Sequence, residues 1–183
     1  MASDEPSYQS LPTSVAWQDQ AMEIRLYESV LIASVRVKGA SWREASSYAF
    51  QPLANYIFGG NERGEKIGMT TPVTTHQIGD EADKLWEVRF FMPPRYEMET
   101  LPVPQSPYVS LYKAEAAKFA VIRFSGAAQN QAGQENFARH EAKLRKAMSA
   151  ADMATDGAAH YAVYNGPWTP NIMRRNEVLI ALD

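Results

Sequence analysis

Lys66-Ile67-Gly68-Met69-Thr70-Thr71-Pro72-Val73 is the stretch around which the chain is read. Ile67, Met69 and Thr71 alternate with Gly68 and Thr70, the period of a half-buried strand. Pro72 removes a ladder donor and holds Thr71 extended, which places a break at a sheet rim or before a crossing loop. Val73-Thr74-Thr75-His76-Gln77-Ile78 resumes the extended pattern and stops at Gly79-Asp80. Working outward, Glu23 to Tyr27 and Val30 to Val37 read as a hairpin pair, and Leu85 to Met92 as a strand closed by Pro93-Pro94. Tyr108 to Tyr112 and Phe119 to Phe124 read as a second pair. His160 to Asn165 and Asn176 to Leu182 end the chain as strands.

Two helices interrupt the strands. Ser41-Trp42-Arg43-Glu44 has the form of a capping box, in which hydroxyl and carboxylate satisfy free donors of the first turn. The helix is predicted to run to Phe58 and stop at Gly59-Gly60, with Trp42, Ala45, Ala49, Leu53 and Tyr56 on its core face. Pro52 inside it costs roughly 3 kcal/mol, frees the Tyr48 carbonyl and predicts a kink. A second helix is predicted from Ala132 to Ala150, with Phe137, Leu144 and Met148 apolar. Arg95 to Pro107 is a proline-punctuated loop.

The two halves resemble each other. Ala33-Ser34-Val35-Arg36-Val37-Lys38-Gly39-Ala40 aligns with Ala120-Val121-Ile122-Arg123-Phe124-Ser125-Gly126-Ala127, each ahead of a helix. Glu87-Val88 and Glu177-Val178 stand in the last strand of each half, and the Lys66 to Val73 break is matched to Gly166-Pro167-Trp168. The expected fold is therefore α+β. Duplicated β-β-α-β-β halves form a distorted antiparallel β-barrel flanked by two helices. Residues 1–20 are expected to be a flexible tail pinned by Trp17. Residues 21–183 then form one domain of two pseudo-repeats, about 21–100 and 108–183.

Composition narrows the function. The chain has 183 residues, 45% hydrophobic and 21% charged, enough for a substantial core. A net charge of -3 and a pI near 5.7 lack the basic footprint of a nucleic-acid binder. With no cysteine, thiolate metal sites, thiol nucleophiles and disulfides are excluded. No apolar run is long enough to span a membrane, and the N-terminus has no signal-peptide pattern, so a soluble, cytoplasmic protein is expected. A leader removed beforehand would leave no trace.

Conventional catalytic machinery is scarce. His140, at the edge of an apolar helical face, reads as a structural histidine, and His160 as an exposed one. His76, four residues past Pro72, is the better ligand candidate. Glu65, Glu87 and Glu177 are possible acid–base groups, though strand carboxylates beside Arg89 or Arg175 read first as ion pairs. Arg174 and Arg175, adjacent in an extended segment, point to opposite faces, one towards Glu177 or the helix carbonyl freed by Pro52 and one towards an anionic ligand. Trp168, between two prolines, must cap the core or line a pocket.

Taken together these residues resemble the SOUL haem-binding protein family. The pieces that carry the resemblance are Glu23 to Tyr27, Phe58-Gly59-Gly60-Asn61, Glu65 to Val73, Trp86 to Pro93, and Tyr164 to Trp168 through Arg174 to Val178, in family order over about residues 21–183. The resemblance implies a fold akin to effector-binding domains. It also implies non-enzymatic binding of haem or another tetrapyrrole in a hydrophobic groove beside the first helix. Carried onto this sequence, the groove comprises Tyr48, Gln51, Asn55, Met69, Trp168 and Met173, with Arg174 or Arg175 near a propionate. His76 is then the candidate axial ligand, and the partner is the porphyrin rather than nucleic acid. Two other readings stand beside this one: a small-molecule effector-binding or hydrolytic domain using the cleft between the halves, and a protein-interaction module.

Overall fold

A computed structural model describes residues 4–13, 16–17, 20–153 and 155–183 of the chain. The first strands are β1 (Tyr8–Leu11), β2 (Ala16–Trp17), β3 (Gln20–Ala21), β4 (Glu23–Tyr27) and β5 (Val30–Lys38). Helix α1 (Trp42–Ile57) leads to β6 (Val73–Ile78) and β7 (Leu85–Phe91). Then follow β8 (Ser110–Ala114), β9 (Ala117–Phe124), helix α2 (Asn130–Ala150), β10 (Ala159–Val163) and β11 (Asn176–Leu182). From β4 onward the order β-β-α-β-β occurs twice, and every pairing given below is antiparallel, as expected for the α+β class.

The pairing departs from the sequence reading in an instructive way. The chain forms two compact units, Ser29–Glu115 with the residues up to Pro6, and Ser7–Glu28 with Ala116–Asp183. In the first, strands lie in the order β6-β7-β5-β8; in the second, β1-β4-β9-β11-β10. The anticipated hairpins β4–β5 and β8–β9 do not exist. β4 pairs with β9, and β5 pairs with β7 and β8. Each repeat thus contributes its first strand to the unit built mainly from the other repeat. The links Glu28-Ser29 and Glu115-Ala116 carry the reason. A two-residue hairpin needs left-handed backbone, usually Gly, Asn or Asp, and none of these four residues has positive φ.

The opening stretch is corrected too. It is not a ladder strand, because β6 begins only at Val73. Ile67 is instead fully buried in the α1 core, its N–H donating to Ile57 O at 2.9 Å. Thr70 Oγ1 donates to Phe91 O, and Thr71 N–H to Asp4 O at 3.1 Å, ahead of a cis Thr71–Pro72 bond. The segment is a packed connector from α1 to β6. Nor is Gly166-Pro167-Trp168 its counterpart, since that segment lies between β10 and β11 rather than after a helix. Residues 8–11 pair with β4, so this part of the expected tail is an edge strand. The side chain of Trp17 lies outside the described residues.

In the first unit Ala33, Val35, Val88 and Phe90 pack against Ala49, Leu53, Tyr56 and Ile57 of α1. Strand alternation then sends Ser34, Arg36, Glu87 and Arg89 to the opposite face of the sheet. In the second unit Phe124 packs edge-on to Phe137 and stacks on His140 of α2 at 3.8 Å. The alternate residues Val121 and Leu179 form a separate apolar cluster with Tyr27, Phe119 and Tyr164.

The ends of α1 follow from local chemistry. Glu44 N–H donates to Ser41 Oγ at 3.2 Å, while the Glu44 carboxylate accepts from Ala40 N–H at 2.5 Å, one residue earlier than the capping box predicts. Pro52 is accommodated without ending the helix. At the other end Gly59 has φ +111° and Gly60 N–H donates to Asn55 O at 2.8 Å, closing a Schellman turn. A Cβ on Gly60 would stand 2.7 Å from that carbonyl oxygen. Gly60→Ala is expected to lower stability by about 1–3 kcal/mol, the usual cost of overpacking, measurable by urea denaturation.

Candidate functional site

Two buried carboxylates occupy corresponding strands, and each is enclosed by cations and phenols. On β11, Glu177 is fully buried and accepts from Arg25 Nη1 at 2.8 Å and Nη2 at 3.1 Å. Tyr164 Oη donates to it at 2.7 Å and Arg175 Nε at 3.0 Å, with the Arg175 guanidinium 3.8 Å above the Tyr164 ring. On β7, Glu87 accepts from Arg89 Nε at 2.8 Å, Tyr112 Oη at 3.0 Å, Ser34 Oγ at 3.1 Å and Arg36 Nε at 3.4 Å. Burial opposes the Glu87 charge, yet Arg89 and the Tyr112 and Ser34 donors hold its carboxyl below the ordinary range. The reverse holds for the phenols: burial, with the carboxylates close by, pushes Tyr112 up to about 12 and Tyr164 well above its usual value. Glu65 is tied to Arg63 at 3.2 Å and accepts from Tyr96 Oη. The ion-pair reading of the strand carboxylates is the one found. Arg25, Tyr112 and Tyr164 were not foreseen as partners. The Glu87/Arg89 and Arg175/Glu177 spacing of two did signal a shared face, but Arg25 is 152 residues from Glu177.

His76 belongs to this buried set. It stands directly across from Glu87 in the β6–β7 register, and its Nε2 accepts from Arg89 Nη2 at 3.1 Å. Burial and the Arg89 and Arg36 charges push its pKa down to about 3. Val73 packs against the α1 core, so alternation turns His76 to the sheet face away from α1. His76 therefore does not share a surface with Tyr48, Gln51 and Asn55 of α1. His140 is held in the α2 core with Nδ1 2.7 Å from Asn136 O, and His160 makes an edge contact to Phe119.

The remaining candidates fall into two groups, one in each unit. On α1, Tyr48, Gln51 and Asn55 repeat at three- and four-residue intervals along the solvent side, with Phe50 on one flank and Phe58 at the C-cap. Tyr48 and Phe58 are 58% and 59% exposed. The charged side chains of this helix, Arg43 and Glu44, are both in its first turn. Its exposed aromatics are the departure, because solvent-facing helical positions are ordinarily charged or polar. Tyr48 Oη donates to Glu44 Oε1 at 3.2 Å, and this hydrogen bond holds the phenol above its ordinary value. Arg43 Nε is shielded from solvent and makes no hydrogen bond within the described residues. Met69, in the connector after α1, is half exposed.

In the other unit the β10–β11 loop presents Trp168 and Met173, 88% and 71% exposed, with Ile172 beside them. The loop is held from below. Arg174 is buried and donates from Nε to Thr169 O at 2.7 Å and from Nη2 to Pro167 O at 2.6 Å. Gly126 N–H reaches Asn171 O at 2.8 Å and Arg175 N–H reaches Asn165 Oδ1 at 2.6 Å. The expectation that one arginine is kept for an anion is corrected: Arg174 holds loop carbonyls and Arg175 holds Glu177.

Two outcomes follow from the buried clusters. Glu177→Gln should cost about 3 kcal/mol in urea denaturation, because it leaves the buried Arg25 with only the half-exposed Glu23 as a charge partner and takes the carboxylate from Arg175. His76 stays neutral in the fold but titrates at its ordinary 6.5 when unfolded, so stability is full above pH 6.5 and is lost as pH falls towards 3. The slope from one such proton is at most about 1.4 kcal/mol per pH unit, giving a fall of about 2 kcal/mol between pH 7 and 5. His140, also lowered by burial, adds a contribution of the same sign. His76→Gln should remove the larger part of the slope.

Comparison with known proteins agrees with this architecture. The chain is 32% identical over 165 residues to "Heme-binding protein 1" of Xenopus tropicalis, covering 86% of this chain and 82% of that one. It is 28% identical over 170 residues to "Heme-binding protein 2" of Homo sapiens, covering 91% and 80%. In fold it is similar to an uncharacterized conserved protein from Listeria innocua, with TM-score 0.60 at 15% identity over 88% of this chain and 92% of that one. The model of the SOUL heme-binding protein family matches residues 3–181, and the chain belongs to that family.

Proposed function

We propose that this protein binds haem or a related tetrapyrrole without enzymatic turnover, on the solvent side of α1. The observation that supports it is the outer face of a helix whose inner face already fills the core: beyond the first-turn Arg43 and Glu44 it carries only aromatic and uncharged polar side chains. Tyr48, Phe50, Gln51, Asn55 and Phe58 suit the flat apolar body of a porphyrin. The donor set fits as well. Arg43 flanks this face one turn before Ser47 and two turns before Phe50, and its Nε has no hydrogen-bond partner among the described residues, so it replaces Arg174 and Arg175 as the partner of a propionate. When bound, haem would supply iron chemistry; the residues of α1 bind and orient it.

The relatives named as heme-binding proteins support the same reading. A hydrolytic role gains no such support, because a general acid or base needs a carboxyl with a raised pKa and a free oxygen. Glu87 is held low, and both Glu87 and Glu177 are saturated with donors.

Hemin titrated into micromolar protein should give a saturable shift of the Soret band, and a linear, unsaturable response overturns the proposal. Gln51→Glu, which places a negative charge in the middle of the face, should weaken binding about tenfold, or about 1.4 kcal/mol. Arg43→Gln should weaken it by up to about fivefold, the 0.2–1 kcal/mol of an exposed ion pair, and should abolish its salt dependence. Trp168→Ala assigns the surface: if it, rather than Gln51→Glu, removes binding, the ligand sits on the β10–β11 loop and not on α1.

A further inference from the structure

We propose that Tyr48 supplies the axial ligand to a ferric haem iron bound on α1. The inference rests on the tetrapyrrole reading above and identifies the atom that would hold the metal. Proteins ligate haem iron through His, Cys, Met or Tyr. The chain has no cysteine and three histidines. His140 and His160 belong to the α2 unit, while His76 is buried on the sheet face away from α1 with its Nε2 engaged by Arg89. On the solvent side of α1 the one side chain of a ligating type is Tyr48. Tyr56, on the same helix, is fully buried and donates to Pro102 O at 2.8 Å.

Tyr48 is also equipped for the task. Its hydroxyl is solvent-facing and already donates to the Glu44 carboxylate at 3.2 Å. That carboxylate is anchored through its other oxygen by Ala40 N–H, so the acceptor is held by the helix cap. On ligation the phenol O–H bond would break as the oxygen bonds the iron, and the proton would leave to water. The iron would stay ferric, so no oxidant or reductant is needed. A bound cation reverses the local acid–base preference, so the phenol that keeps its proton beside Glu44 can give it up to a ferric centre. An alternative in the connector after α1 is the Met69 thioether, a soft donor that suits ferrous iron better than ferric.

The test compares hemin with iron-free protoporphyrin IX on wild type and Tyr48→Phe, by absorbance titration, with EPR and resonance Raman on the hemin complexes. Wild type should show high-spin ferric iron with phenolate modes. Tyr48→Phe should lose those modes and lose about tenfold more affinity for hemin than for protoporphyrin, a difference of about 1.4 kcal/mol. Tyr48→His should restore hemin affinity with an imidazole signature in place of the phenolate one. Saturable hemin binding with the same spectrum and affinity in wild type and Tyr48→Phe overturns the ligand assignment alone. Failure of wild type to bind either porphyrin overturns the tetrapyrrole reading and this inference with it. A wild-type complex whose spectrum matches thioether ligation, abolished by Met69→Leu, assigns the iron to Met69 and overturns the inference.

Discussion

The bidentate contact between Arg25 and Glu177 is the constraint on which much of the architecture turns. Both groups are buried, at 1% and 0% exposure. Burying an unpaired charge costs several kcal/mol, and this pair offsets that cost together with Glu23, 2.7 Å from Arg25, and Arg175, 3.0 Å from Glu177. Arg25 sits on β4 in the first repeat and Glu177 on the last strand, so the pair can form only if β4 joins the sheet of the second unit. A carboxylate with one arginine would still have unfilled acceptor positions. Tyr164 and Arg175 occupy them, and this satisfaction makes the site rigid and chemically quiet.

The first unit repeats the arrangement with different partners. Glu87 takes the place of Glu177, with Arg89, Tyr112, Ser34 and Arg36 as donors, and Tyr112 comes from β8, the first strand of the second repeat. Each carboxylate therefore recruits a donor from the strand that has been exchanged. Duplication followed by exchange gives two units that neither repeat could complete from its own strands. The polar clusters contribute specificity of pairing at positions where apolar residues would tolerate a slipped register.

With the polar chemistry turned to one face of each sheet, exposed apolar side chains stand on the solvent side of α1 and in the β10–β11 loop. Helix α1 spends its inner face on the core and its capping charges on its first turn, leaving aromatic and amide side chains in solvent. The β10–β11 loop exposes Trp168, Ile172 and Met173 for a related reason: Arg174 satisfies the loop carbonyls from inside, so the apolar side chains have nowhere to go but outward. Neither surface carries a histidine. Any metal chemistry on α1 must therefore use an oxygen or a thioether.

Much was legible in the residues themselves. Ser41 and Glu44, Gly59 and Gly60, and the alternation of Leu85 to Phe91 are local signals, and local backbone chemistry placed those elements within a residue or so of where they stand. The repeat was legible because Glu87 and Glu177 recur at matching positions, and the family pattern followed from the same segments. Strand partnership was not. A strand's sequence specifies which residues face the core but carries no record of which edge it will meet, and the short β4–β5 and β8–β9 links mimic hairpins. The absence of Gly, Asn or Asp in those links was the available clue. Likewise no spacing could reveal that His76 is turned away from α1, or that Arg174 and Arg175 are already engaged. Burial and long-range ion pairing are set by chain segments up to 152 residues apart, so tertiary structure alone decided them.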